Sequence, residues 1–162
     1  MTAHWPRLSA LLLGLCLMSC GPSGLRPERG ISSGLQRNSD SRRWPSLGNR
    51  WLASIASRNG RERIELVDLR NGQPVPLPGI NQSDSQPISV SVSGDGKRIA
   101  LIRSRDGRTE LMLYRRGVGV LQRLPVEPAG VPREVSLDGS GRLLAVQVSR
   151  KGLWDVDLIR LP

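Results

Sequence analysis

Histidine, cysteine and the large aromatic residues are nearly absent from this 162-residue chain. Its one histidine, His4, and its two cysteines, Cys16 and Cys20, all fall in the first twenty residues. If that segment is removed as a leader, the remaining chain has no imidazole and at most one thiol, at its start. A His-based catalytic triad, a Cys–His nucleophile pair, an internal disulfide and a His/Cys zinc site are then excluded. Phenylalanine is missing, and only four Trp and one Tyr are present, so a core must be built from Leu, Val, Ile and Ala. Lysine is scarce as well: of 24 basic residues, only Lys97 and Lys151 are lysine. Acidic residues number 14, and the net charge of +10 favours anionic partners.

The longest apolar run, Leu8–Met18, is far shorter than the about 20 residues that a helix needs to cross a bilayer. It suits the core of a signal peptide, with Arg7 before it. Leu17-Met18-Ser19-Cys20, which overlaps its end, resembles the bacterial lipobox: Leu at −3, a small residue at −1, and a cysteine whose thiol accepts diacylglycerol. The resemblance implies a lipoprotein signal peptide over 1–19 and acylation of Cys20. The acyl chains would then hold the protein to a membrane at the periplasmic face of the cell envelope. Gly21, which is not Asp, favours the outer membrane over the inner by analogy with enterobacterial sorting. Residues 20–43 are rich in Gly, Ser, Pro and Arg without an apolar period, and read as a flexible tether.

Beyond residue 44 the chain repeats itself. Ser57-Arg58-Asn59-Gly60, Ser104-Arg105-Asp106-Gly107 and Ser149-Arg150-Lys151-Gly152 recur at spacings of 47 and 45 residues. An apolar run with Ala in register precedes each copy (Trp51–Ile55, Arg98–Ile102, Leu143–Gln147), and an alternating run follows (Ile64 and Leu66; Leu111 and Leu113; Val156 and Leu158). A period of 40–50 residues points to a propeller or an array. Asn59-Gly60 and Asp106-Gly107 mark two-residue hairpin turns, and Asp95-Gly96 and Asp138-Gly139 mark turns before the apolar runs. The strict alternation in Ile88–Ser93 predicts a half-buried strand, and the continuous run Ile99–Ile102 a strand covered on both faces.

The middle copy resembles a blade of the TolB-type β-propeller, a relative of the WD-type repeat. The residues that carry the likeness are Ser93-Gly94-Asp95-Gly96-Lys97, Ile99-Ala100, Arg105-Asp106-Gly107 and the Leu111–Tyr114 strand. Leu124-Pro125 stands where the family usually closes a blade with Leu-Thr. The resemblance implies an all-β chain of three four-stranded, blade-like repeats, at about 44–79, 87–125 and 132–162, together a partial β-propeller. It also implies a protein-binding scaffold for envelope integrity or biopolymer transport, with envelope proteins as partners. In the third copy Ser140-Gly141 reads as an insertion.

Three blades are fewer than the four to eight of a closed propeller, and both ends look incomplete. In the first copy the segment 41–46 is polar and contains Pro45; the third stops where its fourth strand should begin. A homodimer completing a six-bladed ring, docking on another protein, or a β-trefoil are the three solutions. Too few strands can be read for the trefoil to be preferred. A dimer would place Gly119–Leu124 and Leu153–Leu161 near its interface.

The candidate binding residues are Arg58, Arg61, Arg63, Arg103, Arg105, Arg108, Arg115 and Arg116, at or beside equivalent hairpins, where a repeat fold would gather them on one basic rim. Arginine binds phosphate and carboxylate bidentately, so glycans or anionic lipids are the alternative ligands. Nucleic acid is not expected of an exported protein lacking aromatic stacking platforms. No cofactor, metal or catalytic residue is assigned: Asp95, Asp106 and Asp138 fit turns, and Asp155 and Asp157 fit an exposed strand face beside Arg160. Gly117-Val118-Gly119 lacks the rest of a nucleotide fingerprint. A glycan- or peptide-active propeller enzyme is the least favoured function, because three blades alone cannot wall a channel. Trp51 and Trp154 are expected in the core and Trp44 at the surface.

Replacing Cys20 with Ser should move the protein from the membrane fraction to the soluble periplasmic fraction and abolish fatty-acid labelling. Retained labelling would contradict acylation at Cys20.

Overall fold

The computed structural model describes residues 24–36 and 40–162; the leader and Cys20 lie outside them. The chain opens with helix α1 (Arg29–Gln36) and continues as strands alone. Blade one is the sheet β1 (Ser41–Leu47), β2 (Trp51–Arg58), β3 (Arg61–Asp68), β4 (Gln73–Val75). Blade two is β5 (Ser85–Val92), β6 (Arg98–Arg105), β7 (Arg108–Arg115), β8 (Val120–Leu124). Blade three has β9 (Val131–Leu137), β10 (Leu143–Arg150) and β11 (Leu153–Arg160). Each sheet is an antiparallel meander of sequence neighbours. The three sheets stack face to face, as in a partial propeller; a trefoil is not the architecture.

The turns follow from their residues. Each central hairpin closes through two residues with positive φ: Asn59 and Gly60, Asp106 and Gly107, Lys151 and Gly152. This backbone twist matches the flanking strands, and Gly, Asn and Asp tolerate it best.

Strand alternation then fills the space between sheets. Trp51, Ala53 and Ile55 of β2, with Ile64 and Leu66 of β3, pack against Val90, Val92, Ile99, Leu101, Met112 and Tyr114 of blade two. The opposite face of blade two, Ala100, Ile102, Leu111 and Leu113, packs against Val135, Leu137, Leu144, Val146 and Val148 of blade three. Blade two is thus covered on both sides, as the unbroken run Ile99–Ile102 predicts.

A second set of contacts joins the blades along β1, β5 and β9, the first strand and free edge of each sheet. The outward N–H groups of an edge strand need partners. Here the preceding blade provides them: Val92 donates to Ser46 Oγ (3.0 Å), Val135 to Ser89 Oγ (3.2 Å) and Leu137 to Ser91 Oγ (2.8 Å). Just beyond these strands, the Asn49 N–H donates to the Gly94 carbonyl (3.1 Å) and the Gly94 N–H to the Gly139 carbonyl (2.9 Å). The approach is too close for a side chain: a Cβ on Gly94 would lie 2.8 Å from the Gly139 oxygen, and one on Gly48 2.6 Å from the Ser93 oxygen.

Three expectations are revised. The segment 41–46 does form the first strand of blade one, pairing with β2 from Ser41 to Leu47. Pro45 is accommodated because the register shifts between Arg43 and Ser46, and Trp44 takes a positive φ of 54° there. Such a bulge on an edge strand needs no N–H from proline. The tether segment 20–43 holds the start of β1 and also α1, whose Ile31 and Leu35 are half-buried one turn apart. In blade three Ser140-Gly141 is not an insertion. Ser and Asp have exchanged places: Ser93 Oγ donates to Asp95 (2.7 Å) in blade two, and Ser140 Oγ to Asp138 (2.5 Å) in blade three. The positive-φ glycines in this turn are Gly96 and Gly141.

Gly94→Ala should destabilise the fold by roughly 2–4 kcal/mol, because the blocking oxygen belongs to backbone and cannot move aside. Gly107→Ala, with open space around its Cβ, should lose only the ~1 kcal/mol of its left-handed conformation. Urea unfolding of both variants checks the order, and equal losses would contradict the close blade contact.

A basic groove on the hairpin rim

The loop between β4 and β5 is pinned to both neighbouring blades. Ile80 is buried, and the Asn81 side chain accepts from the Ile64 N–H (2.7 Å) and donates to the Ile64 carbonyl (2.9 Å). Gln82 Oε1 accepts from Arg103 (2.7 Å), and Tyr114 Oη donates to the Pro78 carbonyl (2.9 Å). Between this loop and the β2–β3 hairpin lies an open groove of about 660 Å³. Arg58, Arg61, Arg63 and Glu62 line it on the hairpin side, and Asn81, Gln82, Ser83, Ser85 and Gln86 on the other.

The arginines of this groove are held from behind. Asp40, whose side chain is inaccessible, accepts from Arg58 Nε and from Arg63 Nη2, each at 2.5 Å. The hydrogen bonds from Arg58 and then Arg63 hold its carboxyl below the ordinary value, against the opposing effect of burial. Glu65, also buried, pairs with Arg42 (2.9 Å) and lies 3.6 Å from Arg63. Glu62, on the groove side, is paired with Arg43 (2.7 Å), whose hydrogen bonds hold its carboxyl low. Arg61 has no ion-pair partner among the described residues. The groove therefore offers one free guanidinium beside two that are already oriented.

The other predicted arginines divide by position. Arg105 and Arg108 flank the equivalent hairpin of blade two on the same rim, with Arg105 2.6 Å from Asp84. Arg103 is only 5% exposed and structural, bonded to Glu110 (2.9 Å) across the β6–β7 ladder. Arg115 and Arg116 stand at the far end of β7, on the opposite rim, so eight arginines do not make one surface. Strand length separates them: Arg108 and Arg115 are the two ends of the same strand. Arg116 lies over the Trp51 ring, 4.4 Å from its centroid, with Arg50 also over that ring at 4.5 Å, and donates to the Gly96 carbonyl (2.8 Å). Each such stack contributes on the order of 0.5–1 kcal/mol, so Arg116 works as an interblade clamp.

Trp51 is buried and Trp44 is 45% exposed, but Trp154, expected in the core, is 59% exposed on β11. Asp155 and Asp157 share a strand face and are taken by Arg150, at 3.5 and 2.5 Å, not by Arg160. Asp138 is held at about 2 by its Ser140 hydroxyl and the backbone N–H groups of Leu143, Arg142 and Ser140, a turn-building role. Sequence reasoning missed Asp40, which sits in a polar stretch with no periodicity to mark it as buried.

No family model and no curated protein matches the sequence. Solved structures do match. TolB from Acinetobacter baumannii superposes with a TM-score of 0.57 at 22% identity, over 72% of this chain and 29% of that one. The putative TolB from Agrobacterium tumefaciens gives 0.59 at 16% identity, over 75% of this chain and 46% of its own. The fold is that of a TolB-type β-propeller. A puromycin-hydrolysing peptidase from Mycobacterium tuberculosis also matches, with a TM-score of 0.54 at 20% identity, over 75% of this chain and 19% of that one. This chain therefore spans less than half the length of each. The TolB-type likeness establishes the propeller architecture and carries neither a binding partner nor a peptidase activity to this chain.

Asp40→Asn should lower the melting temperature by several degrees at pH 7. A carboxyl held below its ordinary value of 3.8 stabilises the fold above about pH 4, and that contribution is lost as the pH falls through its folded value. The gap between variant and wild type should therefore close in acid. A pH-independent gap would contradict the role given to the Asp40 charge.

Proposed function

We propose that this protein is a lipid-anchored binding protein on the periplasmic face of the cell envelope. It docks an acidic segment of an envelope protein in the basic groove and performs no chemistry on it. The observation that carries this reading is the unpaired Arg61 between Arg58 and Arg63, in a groove whose far wall is pinned at Asn81 and Gln82. Guanidinium groups fixed in advance lose less freedom on binding a carboxylate, which favours recognition by shape and charge. Attachment rests on acylated Cys20, and Gly21 favours the outer membrane; no helix among the described residues is long and apolar enough to cross a membrane. The TolB-type architecture supports a scaffold role, and the engaged carboxylates Asp138, Asp155 and Asp157 support binding over catalysis.

The test is in vivo crosslinking and pull-down from the membrane fraction, comparing wild type with Arg61→Glu. A dominant envelope protein should be recovered in fixed ratio with wild type, and reversal of the charge should cut that recovery roughly tenfold. Equal recovery with both proteins, or recovery of lipid or glycan alone, would contradict the reading.

A further inference from the structure

Blade three leaves one face uncovered, and its residues belong to a series that is covered everywhere else. On β10 and β11 that face carries Leu143, Ala145, Trp154, Val156 and Leu158, because paired residues project to the same side of a ladder. Val156 and Leu158 are 67% and 69% exposed. One repeat earlier the same positions are Leu111 and Leu113, which are buried beneath blade three. The first residues of the second strands form another series. Trp51 packs under Gly96, where a Cβ would lie 2.5 Å from the indole. Arg98 packs under Gly141 and donates to its carbonyl (2.9 Å). Leu143 is next in that series and stays 39% exposed. The inner edge agrees: Ser46 and Ser91 each accept an N–H from the following blade, and their equivalent, Ser136, is exposed.

We propose that this face is covered by the same face of a second copy, giving a two-fold dimer in which blade three stacks on blade three. Two observations select this occupant. Blade one's outer face is closed: Ser54, Ala56 and Val67 are buried there, and Arg42 bridges Glu65 to the Leu35 carbonyl at the end of α1. A head-to-tail ring of six blades would have to use that closed, charged face. The free face of blade three, in contrast, carries Glu134 and Arg160, of opposite sign, with the exposed Arg133 at the β9 bulge beside Glu134, so it holds little of the chain's net charge of +10 and meets a copy of itself with little repulsion. Its large apolar side chains expose on the order of 500 Å², more than half of the ~800 Å² per partner of a stable interface. The surface lies apart from the arginine groove, so dimerisation and groove binding stand or fall separately.

Sedimentation of the full chain in mild detergent tests this. Wild type should be dimeric at about 10 µM, and Leu158→Asp should weaken the dimer at least about a hundredfold, with an unchanged β-sheet circular dichroism spectrum. In a Cys16→Ser, Cys20→Ser background, Gln147→Cys, at the centre of the face, should be joined to its copy by a short bis-maleimide. A monomeric wild type, as expected if another protein covers the face, would overturn the proposal. So would a dimer indifferent to Leu158→Asp, or one that Gln147→Cys fails to crosslink.

Discussion

The fold depends on how closely one sheet can approach the next along its inner edge. An antiparallel sheet of three or four strands ends in a row of N–H groups that must be bonded. Here the serine hydroxyls of the preceding blade accept them at Val92, Val135 and Leu137. Those hydroxyls reach only because Gly48 and Gly94 let the backbones touch at hydrogen-bond distance. The apolar layers between sheets then follow from strand alternation, and each is sealed at one end by the residue that opens the second strand, Trp51 or Arg98. Stacking thus supplies both the hydrophobic burial and the polar satisfaction that a lone blade lacks.

The same constraint sorts the arginines. Those within or between blades are spent on structure: Arg98 on the blade-three turn, Arg103 on Glu110 and Gln82, Arg116 on Trp51 and Gly96. Arginines on the hairpin rim lie beyond the stacked layers, and there charge is available to a ligand. Asp40 adds a buried counter-charge that orients two of them, while Arg61 has no ion-pair partner among the described residues. A net charge of +10 thus overstates the charge left free by the fold, which is a small part of it.

Much of the architecture was legible because it is written as repetition. Asn-Gly and Asp-Gly marked two hairpins, the recurring tetrapeptide placed Lys151-Gly152 at the matching offset in the third copy, and Ile99–Ile102 marked the doubly covered strand. What escaped depends on contacts rather than pattern. β1 looked too polar for a strand because Arg42 and Arg43 are neutralised by Glu65 and Glu62, which are distant in sequence. Trp154 looked like core because an apolar strand face is read as buried, whereas burial needs a neighbouring sheet. The arginine rim was half legible: equivalent hairpins do share a side, but Arg115 and Arg116 belong to the other end of β7.

Amide hydrogen exchange tests the stacked-blade structure most directly. The N–H groups of Val92, Gly94, Val135 and Leu137 have no partner within their own sheet's ladder and are bonded only across blade boundaries. They should exchange as slowly as those of Ile99–Ile102 at the centre of blade two. Exchange at the rate of exposed turns such as Gly107 would show that the blades do not meet along this edge.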